Sequence, residues 1–356
     1  MEKILKKMNY DISIIVPFYK RDDYGRNIFE EINHQSKKEN LKIELIFVDS
    51  KSRKDLEKNI SKMNNYGNTD VKIYDTEDYV SKKRNIGISK ANSENIIIID
   101  DDCIPCKNFL RNHHSSLIDL NNKKRIICGI INYDKNLKDR SNYFRFRDEG
   151  HRKFDKFYKL SKNLNFHNIV VMNMSFKKKT YQENNLKFNE EFNTYGFEDL
   201  QFGIDALFKD FQIKTNNAEV MHQDSTPLPI FKKKINSFAK TYFFLFYPYN
   251  KNRIENNNDK QKYEIISSDL KEYKALLFLS KLNTKYKNKN IFIKILYSFI
   301  YYLSGLMSFI LTRILIITDK IKFLYSYKLY KALVHIVIIN SLFGKEEINK
   351  EWLELN

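Results

Sequence analysis

Along the first half of the chain, short apolar runs alternate with longer polar stretches whose apolar positions recur every three or four residues. The runs "ISIIVPF" (12–18), "KIELIFVD" (42–49), "VKIYD" (71–75), "NIIIID" (95–100) and "RIICGII" (125–131) predict buried strands. Between them, "RDDYGRNIFEEINHQS" (21–36) and "SRKDLEKNISKMNN" (52–65) carry helical spacing and acidic or Ser residues suited to helix N-termini. Such alternation, with near-continuously apolar strands, predicts an α/β fold: a mostly parallel sheet sandwiched by helices. Ligands of such sheets bind beyond the carboxyl ends of the strands. Pro17–Tyr19, Asp49 and Asp100–Asp102 stand at three such ends, so their loops are expected to line one crevice.

Near residue 227 the pattern changes. Pro227 and Pro229 punctuate the chain, and aromatic, Lys-rich helical segments follow. The expected division is an α/β domain over 1–226 and a basic, mainly helical region over 227–356. Within the latter, "KNRIENNNDKQK" (251–262) is polar enough for a loop or a disordered link. The stretch "ILYSFIYYLSGLMSFILT" (295–312) is uncharged between Lys294 and Arg313, long enough to span a bilayer. Ser298, Tyr301, Ser304, Ser308 and Thr312 draw a narrow polar stripe along it. Three readings stay open: a spanning helix, a buried bundle helix, or a helix lying among lipid headgroups. Lysines on both flanks favour the last.

Charge narrows the partner. The chain holds 62 Lys and Arg against 44 Asp and Glu, a net +18, and residues 227–356 alone hold 22 against 10, a net +12. An anionic partner is expected, and charge concentrated outside the α/β half favours an anionic membrane surface over nucleic acid. A non-enzymatic basic binding module, rich in Phe and Tyr, is the competing class. Three cysteines cannot all pair, which points to a reducing, cytoplasmic setting. The N-terminal stretch reads as no signal peptide, and the common glycine-rich phosphate loops are absent from the sequence.

One stretch demands chemistry. "IIIIDDDCIPC" (96–106) runs an apolar strand into three adjacent carboxylates, which repel one another unless a cation sits among them. Cys103 and Cys106 have redox spacing, but no thioredoxin-like context surrounds them, and Pro105 fits a turn into a helix.

Taken with this stretch, "ISIIVPFYK", "ELIFVDSKS", "KKRNIGISKANSENIIIIDDD" and "YGFEDLQFGIDALFKDFQI…AEVMHQD" resemble, in order and spacing, the motifs of family 2 glycosyltransferases. The resemblance covers roughly residues 10–224. It implies a GT-A fold and inverting transfer of a sugar from a nucleotide-diphosphate donor, UDP-sugar favoured. Pro17, Tyr19 and Asp49 would line the nucleoside pocket, with Arg84 near the base or diphosphate. Asp100-Asp101-Asp102 would be the D-x-D motif, the first carboxylate towards the ribose and Asp102 on a divalent Mn²⁺ or Mg²⁺ that His222 also ligates. Asp199 would be the catalytic base, Glu198 would orient the acceptor hydroxyl, and Asn173 would lie near the sugar. Ser50 stands where the family often has a second acid contacting the base, which leaves uridine specificity open. A surface glycan or lipid-linked saccharide is the expected acceptor, a peptide or protein side chain the alternative. The enzyme would work on the inner face of the membrane.

Overall fold

A computed structural model describes residues 9–19, 22–50, 67–77, 79–119, 123–150, 166, 169, 171–193, 196–246, 249–250 and 291–343. The helix expected over 52–65 and the polar link 251–262 lie outside the described residues. Two compact units make up the chain: Met1–Asp134, His151–Asn193 and Glu198–Asp224 in one, and Lys135–Gly150, Thr194–Phe197 and Ser225–Asn356 in the other. The inner segments 135–150 and 194–197 group with the C-terminal part.

In chain order the elements are β1 (Ile12–Pro17), α1 (Asp22–Glu39), β2 (Ile43–Ser50), β3 (Thr69–Thr76), α2 (Val80–Lys90) and β4 (Asn95–Ile99). Next come β5 (Cys103–Pro105), α3 (Phe109–Ile118), β6 (Arg125–Tyr133), α4 (Lys135–Arg140), β7 (Asn173–Lys177) and α5 (Lys178–Glu183). Then follow α6 (Glu198–Phe208), β8 (Gln212–His222), α7 (Leu228–Thr241), α8 (Ile291–Thr318) and α9 (Tyr327–Phe343).

The strands of the first unit form one sheet in the order β3-β2-β1-β4-β7-β6-β8-β5. β1 pairs in parallel with β2 and β4, β2 with β3, and β6 with β8, while β7 and β5 run antiparallel to their neighbours. The chain moves outward from β1 to β3 and then returns to β4 on the other side of β1. That reversal puts a switch point, the usual ligand crevice of such sheets, between the carboxyl ends of β1 and β4.

Every residue of β1 and β2 is buried, as their mainly apolar runs lead one to expect. Gly25 of α1 closes on Phe47 while Gly87 of α2 closes on Val48 and Ile15. Adjacent residues of a strand face opposite ways, so α1 and α2 cover opposite faces of the sheet. A Cβ at Gly87 would come within 2.3 Å of Ile15, so the α2 backbone lies directly on β1.

Two polar centres interrupt this core. Glu44, fully buried in β2, accepts from Ser13, Lys72 and the Asn92 backbone N–H. Burial alone would raise its carboxyl, but the Asn92 N–H, Lys72 and Ser13 outweigh it and hold the group below the ordinary Glu value. Because Asn92 follows α2, this contact ties the end of that helix to the sheet. Behind β7, His113 is 2.9 Å from Ser175 Oγ through Nδ1 and 2.9 Å from Asn173 Oδ1 through Nε2. Burial lowers the His113 pKa to about 4, against the opposing pull of Asn173, so the ring is neutral. The Asn173 amide in turn donates to the carbonyls of Ile130 and Ala218. Gly129 makes room for it: a Cβ there would meet Ala218 O and Asn173 Nδ2 at 2.3 Å.

In the second unit α9 lies against both α8 and α7. Segment 135–150 is fastened at Asp319, whose carboxylate accepts from Ser141 Oγ at 2.9 Å and from the Tyr143 N–H at 2.8 Å. Phe146 stacks on Tyr330 at 5.1 Å. Gly196 and Phe197, which immediately precede Glu198, both have positive φ (91° and 70°). Gly196 is needed there because a Cβ would strike the Phe238 ring at 2.6 Å, and Phe197 is held in its strained conformation by stacking on Phe238 at 4.1 Å.

Candidate active site

The three aspartates follow β4 directly and sit at the switch point. Each is engaged by a different part of the first unit. Asp101 Oδ2 accepts the Tyr19 backbone N–H at 2.8 Å, which joins the ends of β1 and β4. Asp100 Oδ1 accepts from Arg84 of α2 at 3.0 Å, and the same guanidinium reaches Glu198 Oε1 at 3.2 Å. Asp102 Oδ2 lies 3.3 Å from His222 Nε2. His222 arrives because β5 pairs with β8 in a register that sets Cys103 opposite it, and the Gln223 N–H then bonds Asp102 O at 2.8 Å.

Arg84 is therefore one cation that the acidic run requires. Its side chain is 3% exposed, and its Nε has no hydrogen-bond partner among the described residues, so one N–H is not used by the fold. Arg84, expected near the base or diphosphate, bridges Asp100 to Glu198 of α6.

At the ends of β1 and β2, Pro17 and Asp49 are buried, and Asp49 Oδ1 accepts the Ser50 N–H at 2.8 Å. Sequence reasoning passed over Lys83. This buried lysine donates to Phe18 O at 2.8 Å and to Ser50 Oγ at 2.9 Å, and it lies 5.2 Å from the centre of the Tyr19 ring. The signal was present in "KKRN", since Lys83 and Arg84 are consecutive on α2. The serine that replaces a second acid thus faces a cation.

Glu198 and Asp199 open α6, and Asp199 Oδ1 accepts the Leu200 N–H at 2.7 Å. Exclusion of water by the surrounding protein, and then the charge of Glu198, raise the Asp199 carboxyl, to about 7 with water fully excluded; the Leu200 N–H and Arg84 oppose the rise. Asp199 is exposed by surface area, so water reaches it and its value lies below that limit. The upward direction suits a general base, whose ideal pKa is close to the working pH.

Asp102, Cys103 and His222 bring a carboxylate oxygen, a thiol and an imidazole nitrogen within 4.8 Å of one another, all three residues being buried. Carboxylate and imidazole fit a hard or borderline divalent ion such as Mg²⁺ or Mn²⁺. Burial and then the Asp102 charge push the Cys103 thiol well above its ordinary pKa, so it stays protonated and packs as a core residue. Asp102 and His222 are left as the fitting donors. Asn173 is placed differently from the rest: it is fully buried, its amide N–H groups go to Ile130 and Ala218, and its carbonyl meets His113.

A doubly covered, mostly parallel sheet with an acidic cluster at its switch point and a helical C-terminal region defines the GT-A fold of nucleotide-sugar transferases. The crystal structure of S. aureus TarS 1-349 shares that fold, with a TM-score of 0.50 at 17% identity over 91% of this chain and 90% of that one. S. aureus TarS 1-349 in complex with UDP-GlcNAc aligns over the same shares at 17% identity, with a TM-score of 0.48. No curated protein sequence matches the chain. Residues 13–184 match Glycosyl transferase family 2, so that part of the chain is a glycosyltransferase domain of this family. The matched range runs from β1 through α5 and contains Arg84 and Asp100–Asp102; Glu198, Asp199 and His222 lie beyond it.

Proposed function

We propose that this chain is a metal-dependent, inverting glycosyltransferase that moves a sugar from a nucleotide-diphosphate donor, a UDP-sugar by preference, to a hydroxyl of a growing surface glycan or lipid-linked saccharide. The observation that carries the reading is the joining of Asp102 to His222 and of Asp100 through Arg84 to Glu198 at the switch point. The nucleoside would lie against Pro17, Tyr19 and Asp49, with Lys83 and Ser50 beside the base. Asp100 would meet the ribose, and Asp101, held by the Tyr19 N–H, would fix the loop that carries its neighbours. Arg84 would hold Asp100 and Glu198 in place on either side of the donor. Asn173, tied into the sheet, would set the shape of the sugar pocket without touching the sugar.

Asp102 and His222 would hold Mn²⁺ or Mg²⁺, which when bound offsets the charge that develops on the leaving diphosphate. Glu198 would orient the acceptor hydroxyl, and Asp199 would take its proton. The acceptor oxygen then forms a bond to the anomeric carbon as the carbon–oxygen bond to the diphosphate breaks on the opposite face. Nucleoside diphosphate leaves with the bonding pair. One displacement inverts the anomeric centre.

The free cysteines fit a reducing cytoplasm, and the basic C-terminal region fits the inner face of a membrane, where a lipid-linked acceptor is found. Stereochemistry tests the reading. Proton NMR of the first product formed from an α-linked donor should show a β linkage; an α linkage would overturn the single-displacement mechanism.

A further inference from the structure

α8 is built inside out for a water-soluble helix. Ser304, Ser308 and Thr312 are at most 7% exposed, whereas Ile295, Phe299, Tyr302, Ile310 and Ile317 are 48 to 74% exposed. Ser304, Ser308 and Thr312 of the polar stripe lie on the covered side of the helix, towards α9, while Ser298 and Tyr301 are exposed. There Asn340 donates to Tyr301 O at 2.8 Å and to Ser304 Oγ at 3.1 Å, and a Cβ at Gly305 would approach Asn340 Nδ2 to 3.4 Å. Small residues four apart let the two backbones close up, and the Ser304 and Thr312 hydroxyls bond back to carbonyls of their own helix, Tyr301 O and Ser308 O. The outward face of 28 residues is about 42 Å long. Contiguous apolar surface of that length marks an interaction site and not ordinary protein surface.

Resting on the membrane reading above, we propose that the outward face of α8 is a membrane-docking surface: the helix lies in the plane of an anionic leaflet with that face among the acyl chains. Charge argues for lipid over a protein partner. Arg313 is the single charged residue within Ile295–Thr318, its guanidinium lies 5.2 Å from the Phe309 ring, and its stem is long enough to reach the headgroups. Lys320, Lys322, Lys328 and Lys331 are exposed just beyond the helix, and in sequence Lys281, Lys285, Lys287, Lys289 and Lys294 precede or begin it. Packing argues for lying over spanning. A lone spanning helix has lipid on all sides, but the inner side of α8 is covered by α9, which carries exposed Lys328 and Lys331 and itself lies on α7. Inserting that pair across a bilayer would bury those charges in hydrocarbon.

Flotation with phosphatidylglycerol–phosphatidylcholine vesicles tests this. The full chain should float, and the triple variant Phe299→Ser, Ile310→Ser, Ile317→Ser should bind at least tenfold more weakly, with unchanged circular dichroism and donor turnover. Variant binding equal to the parent's would overturn the assignment of this face while leaving membrane attachment standing. A chain that does not float, whether a second copy or another part of the chain covers α8, would overturn both. Depth is read separately in a Cys106→Ser background, with a fluorophore at Ile310→Cys or at Lys328→Cys and a quencher on the acyl chains. Quenching at 310 alone is expected; quenching at both sites means that the helix spans.

Discussion

His222 Nε2 lies 3.3 Å from Asp102 Oδ2, brought there by the antiparallel pairing of β5 with β8. A carboxylate and an imidazole buried side by side form either a purely structural contact or a metal site, and the two differ in their response to substitution. As metal ligands, each residue is needed. Asp102→Ala and His222→Ala should each weaken Mn²⁺ affinity, measured by calorimetry with nucleoside diphosphate present, by more than the about 10- to 100-fold that loss of an outer-shell partner costs. Unchanged Mn²⁺ affinity in both would leave only a structural contact.

Arg84 holds Asp100 and Glu198 with one guanidinium at 3.0 and 3.2 Å. Arg84→Met leaves two largely buried carboxylates without their cation and should lower the unfolding free energy by about 3 kcal/mol. Arg84→Lys should recover less than half of that, since an ammonium cannot serve both acids in the same geometry. Denaturant titration measures both, and adding Glu198→Gln to Arg84→Met should restore part of the loss.

Asp199 separates binding from chemistry. Asp199→Asn keeps the side-chain shape and its acceptor for the Leu200 N–H, so donor affinity should stay while transfer falls on the order of 10²-fold or more. In the parent enzyme, transfer should rise with pH through a value above that of an ordinary Asp. Stability runs the other way. With the folded pKa raised, the contribution of Asp199 is present in acid and is lost as pH rises through that value. Asp199→Asn should therefore be more stable than the parent at pH 8, a gain that disappears in acid; thermal melts at the two pH values check it.

His113 gives the opposite slope. Its folded pKa of about 4 lies below the ordinary 6.5, so between these values the unfolded chain binds the extra proton. Stability is complete above pH 6.5 and should fall by about 3 kcal/mol as pH drops towards 4. His113→Gln should flatten that slope in urea titrations, at the expense of stability at pH 7.

The strands that anchor this site were legible because burial on both faces leaves a mainly apolar run, as in β1, β2 and β4, with Ser13 and Glu44 the inner exceptions. β7 and β8 were harder to see. "NMSFK" buries Asn173 and Ser175 for the His113 network, and "QIKTNNAEVMH" exposes alternate polar residues, so neither shows the expected run. Asp100–Asp102 and the Glu198–Asp199 pair could be named as candidates from local sequence. What joins them could not: Arg84 bridges Asp100 and Glu198 across 114 residues, and Lys83 meets Ser50 across 33. The polar segment 135–150 likewise says nothing locally of Asp319, which fastens it. The inside-out character of α8 emerged only when the side facing α9 was known, because a polar stripe on an apolar helix suits water and a partner helix equally well.

If Asp102 and His222 hold a divalent ion, donor turnover depends on that ion. Nucleoside diphosphate release from a panel of nucleotide-sugars, measured with and without chelator for the parent chain and for Asp102→Ala, decides this. Release is expected from at least one donor, a UDP-sugar first, abolished by chelator, restored by Mn²⁺ or Mg²⁺, and lost in Asp102→Ala whatever metal is added. Full release in the presence of chelator, or by Asp102→Ala, would contradict it.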